Sequence, residues 1–124
     1  MGRKENLRRE VASMTKMMTA YVVNRLAKNE ILNYNDIVEV SPHAASINGT
    51  TAKLEAGDEL CVGDLMYGLM LPSGNDAAYA LAQHCTTILG GTGIRLFIEE
   101  MNTWARRLGM KDTKYNNPHG LGDI

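Results

Sequence analysis

The chain has few cysteines, no long apolar run and no excess of one charge. Two cysteines in 124 residues, Cys61 and Cys85, are too few for a disulfide framework, and neither has metal-ligand spacing. Thirteen basic and fourteen acidic residues give a formal net charge of -1, which excludes a strong overall attraction to nucleic acid or to an anionic membrane. No apolar run approaches a membrane span, and the charged start lacks the apolar segment of a signal peptide. The composition, 44% hydrophobic and 22% charged, is that of one ordinary globular domain.

Helical periodicity covers most of the chain. The apolar residues of SMTKMMTAYVVNRLAKN recur at helical spacing, which predicts a helix with Ser13 in its first turn and its end at about Asn29. A short apolar helix is predicted up to Pro72, and an alanine-rich helix from Asn75 or Asp76. The clearest helix is the last, which Gly109 caps. The residues predicted on its buried face are Phe97, Met101, Trp104, Ala105 and Leu108.

Two stretches predict extended structure. NDIVEVSP is typical of a short strand ended by Pro42, and GTTAKLEAGDELCV of two short strands around a turn at Gly57 and Asp58. We therefore predict a small hairpin and not a full sheet. The expected fold class is α+β and mainly helical, without an internal repeat or an interdomain linker.

Ser13 and Lys16 form an S-x-x-K pattern at the predicted start of the first helix. The pattern alone is weak, because a serine there is by default a helix cap and the lysine a solvated side chain. Three features favour a chemical role. One helical turn brings the amine near the hydroxyl, apolar neighbours such as Met14 and Met17 would lower its pKa, and free amides at the helix start would stabilise an oxyanion.

A second polar group, Ser73 and Asn75, lies in a tight loop between two apolar helices. Either Asn75 or the aspartate after it is by default a helix cap. Ser46 and Asn48 show the same S-x-N spacing, but no predicted helices flank them, so we interpret them as a polar loop. The pair at 73 and 75 is therefore the better candidate for a site.

The three histidines are interpreted as structural. His119 lies in NPHG, which is typical of a turn, and His43 is expected in a loop. His84 has no second ligand at metal spacing, so a zinc site is not expected.

Three ordered blocks resemble the serine D-alanyl-D-alanine carboxypeptidases of the low-molecular-mass penicillin-binding proteins, which are relatives of class A beta-lactamases. EVASMTKMMTAYV resembles the nucleophile helix of that family, and LEAGDELCVGDLMYGLMLPSGNDAAYALA its second-motif region. FIEEMNTWARRLGMKDTKYNNPHGL resembles the helix and turn that follow. The resemblance extends from Glu10 to Leu121 in the family's order.

The resemblance implies a role for each candidate residue. Ser13 would be the nucleophile that attacks the penultimate D-alanine of a peptidoglycan stem peptide, and Lys16 would be its base. Ser73 would pass a proton toward the leaving D-alanine. Asn75 would hold the substrate amide and keep Lys16 in position. Beta-lactams would acylate Ser13 in the same way, and no metal or organic cofactor is implied.

One family motif is missing from the sequence. No Lys or His followed by Ser or Thr and then Gly occurs in the 124 residues, so the Lys-Thr-Gly strand of the family has no counterpart here. The resemblance implies that residues 1–124 are a partial domain truncated at both ends, the helical subdomain of the fold with most of the antiparallel sheet missing. Two alternatives to the carboxypeptidase remain open. One is a non-catalytic helical fragment or binding module, and the other is a different serine hydrolase of the superfamily, such as a beta-lactamase.

The partners and location follow from the same resemblance. The implied partners are stem peptides ending in D-alanyl-D-alanine and beta-lactam antibiotics, with no nucleic acid and no membrane span in this chain. The implied location is extracytoplasmic, in the periplasm or cell envelope.

Overall fold

The longest helix, α1, spans Gly2–Lys28. The computed structural model describes residues 2–110 and 112–120, with side chains from residue 11 onward. The helix ends where the sequence predicted, but Ser13 lies in its interior and not in its first turn. No proline occurs between Gly2 and Ser13, so nothing in the sequence stops the helix before the serine. The prediction that Ser13 begins the helix is therefore wrong.

The extended structure is a two-stranded antiparallel sheet. Strand β1, Ile37–Glu39, pairs with β2, Glu59–Cys61, and a short helix α2, Pro42–Ala45, lies between them in the chain. The predicted turn at Gly57 exists, with φ of +89°, but residues 51–55 before it are not a strand. A small two-stranded sheet was predicted and is found, but the predicted pairing across this turn is wrong, because β2 pairs with β1. The backbone N–H groups of residues 52 and 54 instead bond a buried side chain described below.

The sequence pattern did not predict helix α2, and His43 was expected in a loop. The Ser41 hydroxyl caps this helix by accepting a hydrogen bond from the Ala44 amide at 3.0 Å, and Pro42 occupies the first turn. A serine before a proline is an ordinary helix-start signal, but a helix of four residues is too short to show periodicity.

Three more helices complete the described fold: α3 at Val62–Met70, α4 at Asn75–Ile88 and α5 at Arg95–Arg107. All three were predicted. Gly109 follows α5 with φ of +81°, as expected of a C-terminal cap. Leu108 does not belong to the buried face, since it is 53% exposed.

The core surrounds α4. This helix contacts α1, α2, α3, α5 and β1, and its alanines allow those elements to approach closely. Phe97 and Met101 of α5 are fully buried against it. Cys85 is also fully buried, which raises the pKa of its thiol to about 12. His84 on the same helix lies 3.7 Å from the Asp36 carboxylate, as Nε2 to Oδ2.

No helix within the described ranges combines the length and apolar character needed to cross a membrane.

The turn that contains His119 packs against α1. The Asn117 side chain accepts hydrogen bonds from the amides of His119 and Gly120 at 3.1 and 2.7 Å. The carbonyl of Pro118 accepts a bond from the Thr19 hydroxyl at 2.6 Å. The prediction of a turn at NPHG is confirmed up to Gly120, while residues 121–124 lie outside the described part of the chain. The turn fixes the C-terminal stretch beside the nucleophile candidate on α1.

We expect Gly120→Ala to destabilise the fold more than Gly57→Ala does. Both glycines have φ close to +88°, at +87° and +89°, so each alanine would cost about 1–2 kcal/mol of backbone strain. A Cβ at Gly120 would also lie 2.5 Å from the Ala12 Cα, whereas nothing lies within 4 Å of one at Gly57. The clash adds about 1–3 kcal/mol. Equal unfolding free energies for the two variants, measured in urea, would show that Gly120 does not pack closely against α1.

Candidate active site

Ser13 and Lys16 lie one turn apart on α1, and their environments differ. Ser13 is exposed, whereas Lys16 is 6% exposed. The Lys16 ammonium donates to the Ser73 carbonyl at 2.5 Å and to the Thr50 hydroxyl at 3.2 Å. Among the residues with described side chains, these are its two hydrogen-bond acceptors, and Ser13 is not one of them. The structure thus brings Lys16 to Ser73 and leaves the Ser13 hydroxyl facing solvent.

Lys16 is buried by polar loops and not by its apolar neighbours on α1. Of the apolar neighbours that were predicted to enclose the amine, Val11, Met14 and Met17 are 55%, 55% and 63% exposed, which contradicts the prediction for these three, while Met18 is 6% exposed. Burial lowers the pKa of Lys16 below its ordinary value of 10.5, and the negative charge of Asp76 partly opposes this shift. The pKa of Lys16 is therefore shifted in the predicted direction, toward the neutral amine that a base needs.

The predicted oxyanion site at the start of α1 is also absent from the described structure. Ser13 lies well inside the helix, where backbone amides bond the carbonyl four residues earlier. The free amides of this helix lie in the first turn, far from the serine.

Ser73 adopts a left-handed backbone conformation with φ of +55°. A non-glycine residue there carries about 1–3 kcal/mol of strain, which surrounding contacts must hold in place. The Ser73 carbonyl accepts the Lys16 bond and a second, short bond from the Thr50 hydroxyl. The next residue is a glycine, Gly74, and a larger residue would not fit there. A Cβ at this position would lie 2.8 Å from the Asp76 carboxylate and 2.9 Å from the Ala52 nitrogen.

Asn75 begins α4 and is 2% exposed. Its side-chain Nδ2 donates to the Asn48 carbonyl at 2.8 Å, and its amide donates to the Thr50 carbonyl at 2.8 Å. These bonds tie Asn75 to residues 48–50 and not to Lys16. Its Oδ1 is buried and has no hydrogen-bond partner among the described residues.

Sequence reasoning missed Asp76, which was considered only as a helix cap. Its carboxylate is 1% exposed and accepts bonds from the Thr51 hydroxyl at 2.7 Å and from the amides of Ala52, Leu54 and Ala77 at 2.9, 3.1 and 2.9 Å. Burial raises the pKa of Asp76, but these donors outweigh the burial and hold it below 3.8. Asp76 is therefore a buried, charged carboxylate close enough to act on the Lys16 amine.

Sequence reasoning also missed Thr50 and Thr51. These residues lie in the segment interpreted as a polar loop and a strand, yet they contact Lys16, Ser73 and Asp76. The sequence signal was small: two adjacent threonines between Gly49 and Ala52. Two adjacent threonines show neither helical nor strand periodicity, and their hydrogen-bond partners lie more than twenty residues away in the sequence.

An exposed serine lies one helical turn from a buried lysine, and this lysine contacts the S-x-N turn, which is the combination that the resemblance to a family of serine hydrolases implies. The chain belongs to the D-alanyl-D-alanine carboxypeptidase family, whose sequence model matches residues 1–123. The predicted family is therefore confirmed.

Two curated relatives carry the same family name. D-alanyl-D-alanine carboxypeptidase DacD of Escherichia coli (strain K12) is 40% identical over 123 residues, which cover 94% of this chain and 30% of the relative. DacF of Bacillus subtilis (strain 168) is 36% identical over 120 residues, with 97% and 30% covered. The chain thus spans about 30% of the length of these relatives.

Solved structures of the family share the fold. The DacD carboxypeptidase of Francisella tularensis aligns with a TM-score of 0.81 and 34% identity, over 90% of this chain and 26% of its own. Penicillin binding protein 5 of Haemophilus influenzae aligns with a TM-score of 0.80 and 34% identity, over 90% and 32%. The predicted class, the mainly helical part of a penicillin-binding-protein fold, is confirmed.

Proposed function

We propose that this chain carries the nucleophile, base and second motif of a serine-type D-alanyl-D-alanine carboxypeptidase. The observation that supports this most directly is the buried Lys16 amine, held by the Ser73 carbonyl and the Thr50 hydroxyl one helical turn from an exposed serine. A lysine desolvated in this way is suited to act as a base near neutral pH. Its location beside an S-x-N turn matches what the family resemblance implied.

The proposed reaction has two steps. The Ser13 hydroxyl oxygen attacks the carbonyl carbon of the penultimate D-alanine while its proton passes to Lys16. The peptide C–N bond then breaks, and the terminal D-alanine leaves with a proton delivered through the Ser73 hydroxyl. Water hydrolyses the acyl-enzyme on Ser13, which releases the shortened peptide and restores the serine.

Substrate binding would use Asn75 and a part of the domain that these residues do not contain. The Asn75 Oδ1 is a buried acceptor without a partner among the described residues, and a shift of its side chain toward the site would let it accept a substrate amide N–H. The family's Lys-Thr-Gly strand has no counterpart in the 124 residues. We infer that residues 1–124 are a partial domain and that a strand of this type completes the site.

Two further properties belong to the proposal. Beta-lactams would acylate Ser13, because their strained amide mimics the D-alanyl-D-alanine end. The substrate is a cell-wall peptide, so the site would work outside the cytoplasmic membrane, in the envelope.

A chimera tests the function. This chain replaces the stretch that aligns with it in the Escherichia coli relative, and D-alanine release from a diacyl-L-lysyl-D-alanyl-D-alanine peptide is measured. We expect release by the chimera and little or none by the 124-residue chain. The unmodified relative is the control. A folded chimera without activity would favour the non-catalytic alternative, and one that hydrolyses penicillin rapidly but not the peptide would favour a beta-lactamase.

A further inference from the structure

The segment at residues 48–54, called here the 48–54 loop, is bonded along its length to the S-G-N-D turn at residues 73–76. Asn75 bonds the carbonyls of Asn48 and Thr50, and the Thr50 hydroxyl bonds the Ser73 carbonyl. The Asp76 carboxylate takes three further bonds from the loop, which come from the Thr51 hydroxyl and from the amides of residues 52 and 54. The 48–54 loop is therefore held against the site by hydrogen bonds and is not a free surface segment.

The hydrogen of the Thr50 hydroxyl points to the Ser73 carbonyl. It donates to the Ser73 carbonyl, so the hydroxyl oxygen presents only lone pairs to the Lys16 amine. Both neighbours of the amine, the Ser73 carbonyl and the Thr50 oxygen, are thus acceptors.

This arrangement orients the neutral amine. A neutral lysine amine has two N–H bonds and one lone pair. When its two N–H bonds point to the Ser73 carbonyl and the Thr50 hydroxyl, the lone pair is directed away from both. The proposed function requires this remaining direction to face the proton of Ser13, which lies one turn earlier on the same helix. Without Thr50, the bond to the Ser73 carbonyl would remain, but the amine could rotate about it and its lone pair would have no fixed direction.

We propose that Thr50 is a positioning residue for Lys16, held in place by the bonds between Asp76 and the 48–54 loop. The inference rests on the proposed function of Lys16 as the base. Thr50 itself forms no bond with the substrate in this scheme; it fixes the direction in which the base accepts a proton.

The test compares Thr50→Val, which removes the hydroxyl and keeps the shape, with Thr50→Ser, which keeps the hydroxyl. The second-order rate of penicillin acylation is measured against pH in the chimera. We expect Thr50→Val to lower the plateau rate by roughly tenfold or more, since a hydrogen bond to a charged or reacting group is lost. Thr50→Ser should stay within about threefold of the parent. Thr87→Val is the matched control, because Thr87 lies at the other end of α4 and bonds the Gln83 carbonyl at 3.0 Å.

The pH profile separates positioning from a merely structural role. The Thr50 oxygen favours the ammonium over the neutral amine, so its loss should lower the pKa of Lys16 further and move the inflection of the profile to lower pH. A loosened fold would lower the melting temperature and let water reach Lys16, which would move the inflection the other way. Parent-like rates and inflection in Thr50→Val would overturn the inference, and so would a Thr50→Ser variant as slow as Thr50→Val.

A second measurement keeps the inference separate from the proposed function. The Lys16 side chain in the folded chimera is titrated by 13C NMR, with Lys16→Arg used to assign its Cε resonance. A lower Lys16 pKa in Thr50→Val than in the parent would support the contact even if the parent chimera were inactive. The same pKa in both would overturn the contact, whatever the activity.

Discussion

Fluorescent penicillin should label Ser13 in the chimera at least about a hundredfold faster than in the 124-residue chain. The difference in rate comes from the backbone donors that stabilise the oxyanion formed during acylation. The amide of Ser13 lies in the interior of α1, where the helix uses it, and the strand that would supply another donor is not in the sequence. Losing one oxyanion donor typically costs a factor of about a hundred to a thousand, and losing the surface that holds the acyl donor costs more.

The label should disappear in Ser13→Ala and persist in Ser46→Ala. Ser46 is also an exposed serine, it belongs to the other S-x-N sequence, and its hydroxyl donates to the His43 carbonyl three residues earlier. Mass spectrometry of the labelled peptide locates the adduct. Fast labelling of the 124-residue chain at Ser13 would show that the missing strand is not needed. A label on any other residue would remove Ser13 from the proposed mechanism.

Lys16→Arg should reduce acylation of the chimera by about a hundredfold to ten-thousandfold, the usual contribution of a general base. Arginine stays protonated and cannot take the Ser13 proton, yet it still donates to the two acceptors that Lys16 contacts. In the parent, the rate should rise with pH through a lysine pKa below 10.5, because burial depresses that pKa. The variant should show no such rise.

Lys28→Arg is the matched control for this substitution. Lys28 is exposed at the end of the same helix, so its replacement should leave the acylation rate and its pH profile unchanged. The melting curve of Lys16→Arg must stay cooperative for the comparison to hold. An acylation rate equal to that of the parent in a folded Lys16→Arg variant would exclude Lys16 as the base.

Periodicity predicted the elements that bury one face. The end of α1 and all of α3, α4 and α5 follow from apolar spacing, Pro72 and Gly109. The start of α1 could not be predicted in this way, since the charged residues before Ser13 neither break a helix nor need to be buried. Apolar spacing shows where a helix packs, not where it begins.

The site was predicted only as far as its motifs. Ser13, Lys16, Ser73 and Asn75 belong to recognisable patterns, although their roles remain predictions. The loop that contacts Lys16 and Ser73 has no pattern, because its bonds to Asp76 join residues more than twenty positions apart. The same bonds explain the wrong hairpin, since they engage backbone amides that a strand would have used.

The buried thiol of Cys85 gives the chain an internal reporter of core opening. Because the thiol is inaccessible and its pKa is raised to about 12, an alkylating reagent at neutral pH reacts only after α4 has separated from its neighbours. Cys61 is half-buried, so a Cys61→Ser background leaves a single slow thiol. Its alkylation rate then measures how often the interior opens, and a substitution that slows acylation without changing this rate has altered chemistry and not folding.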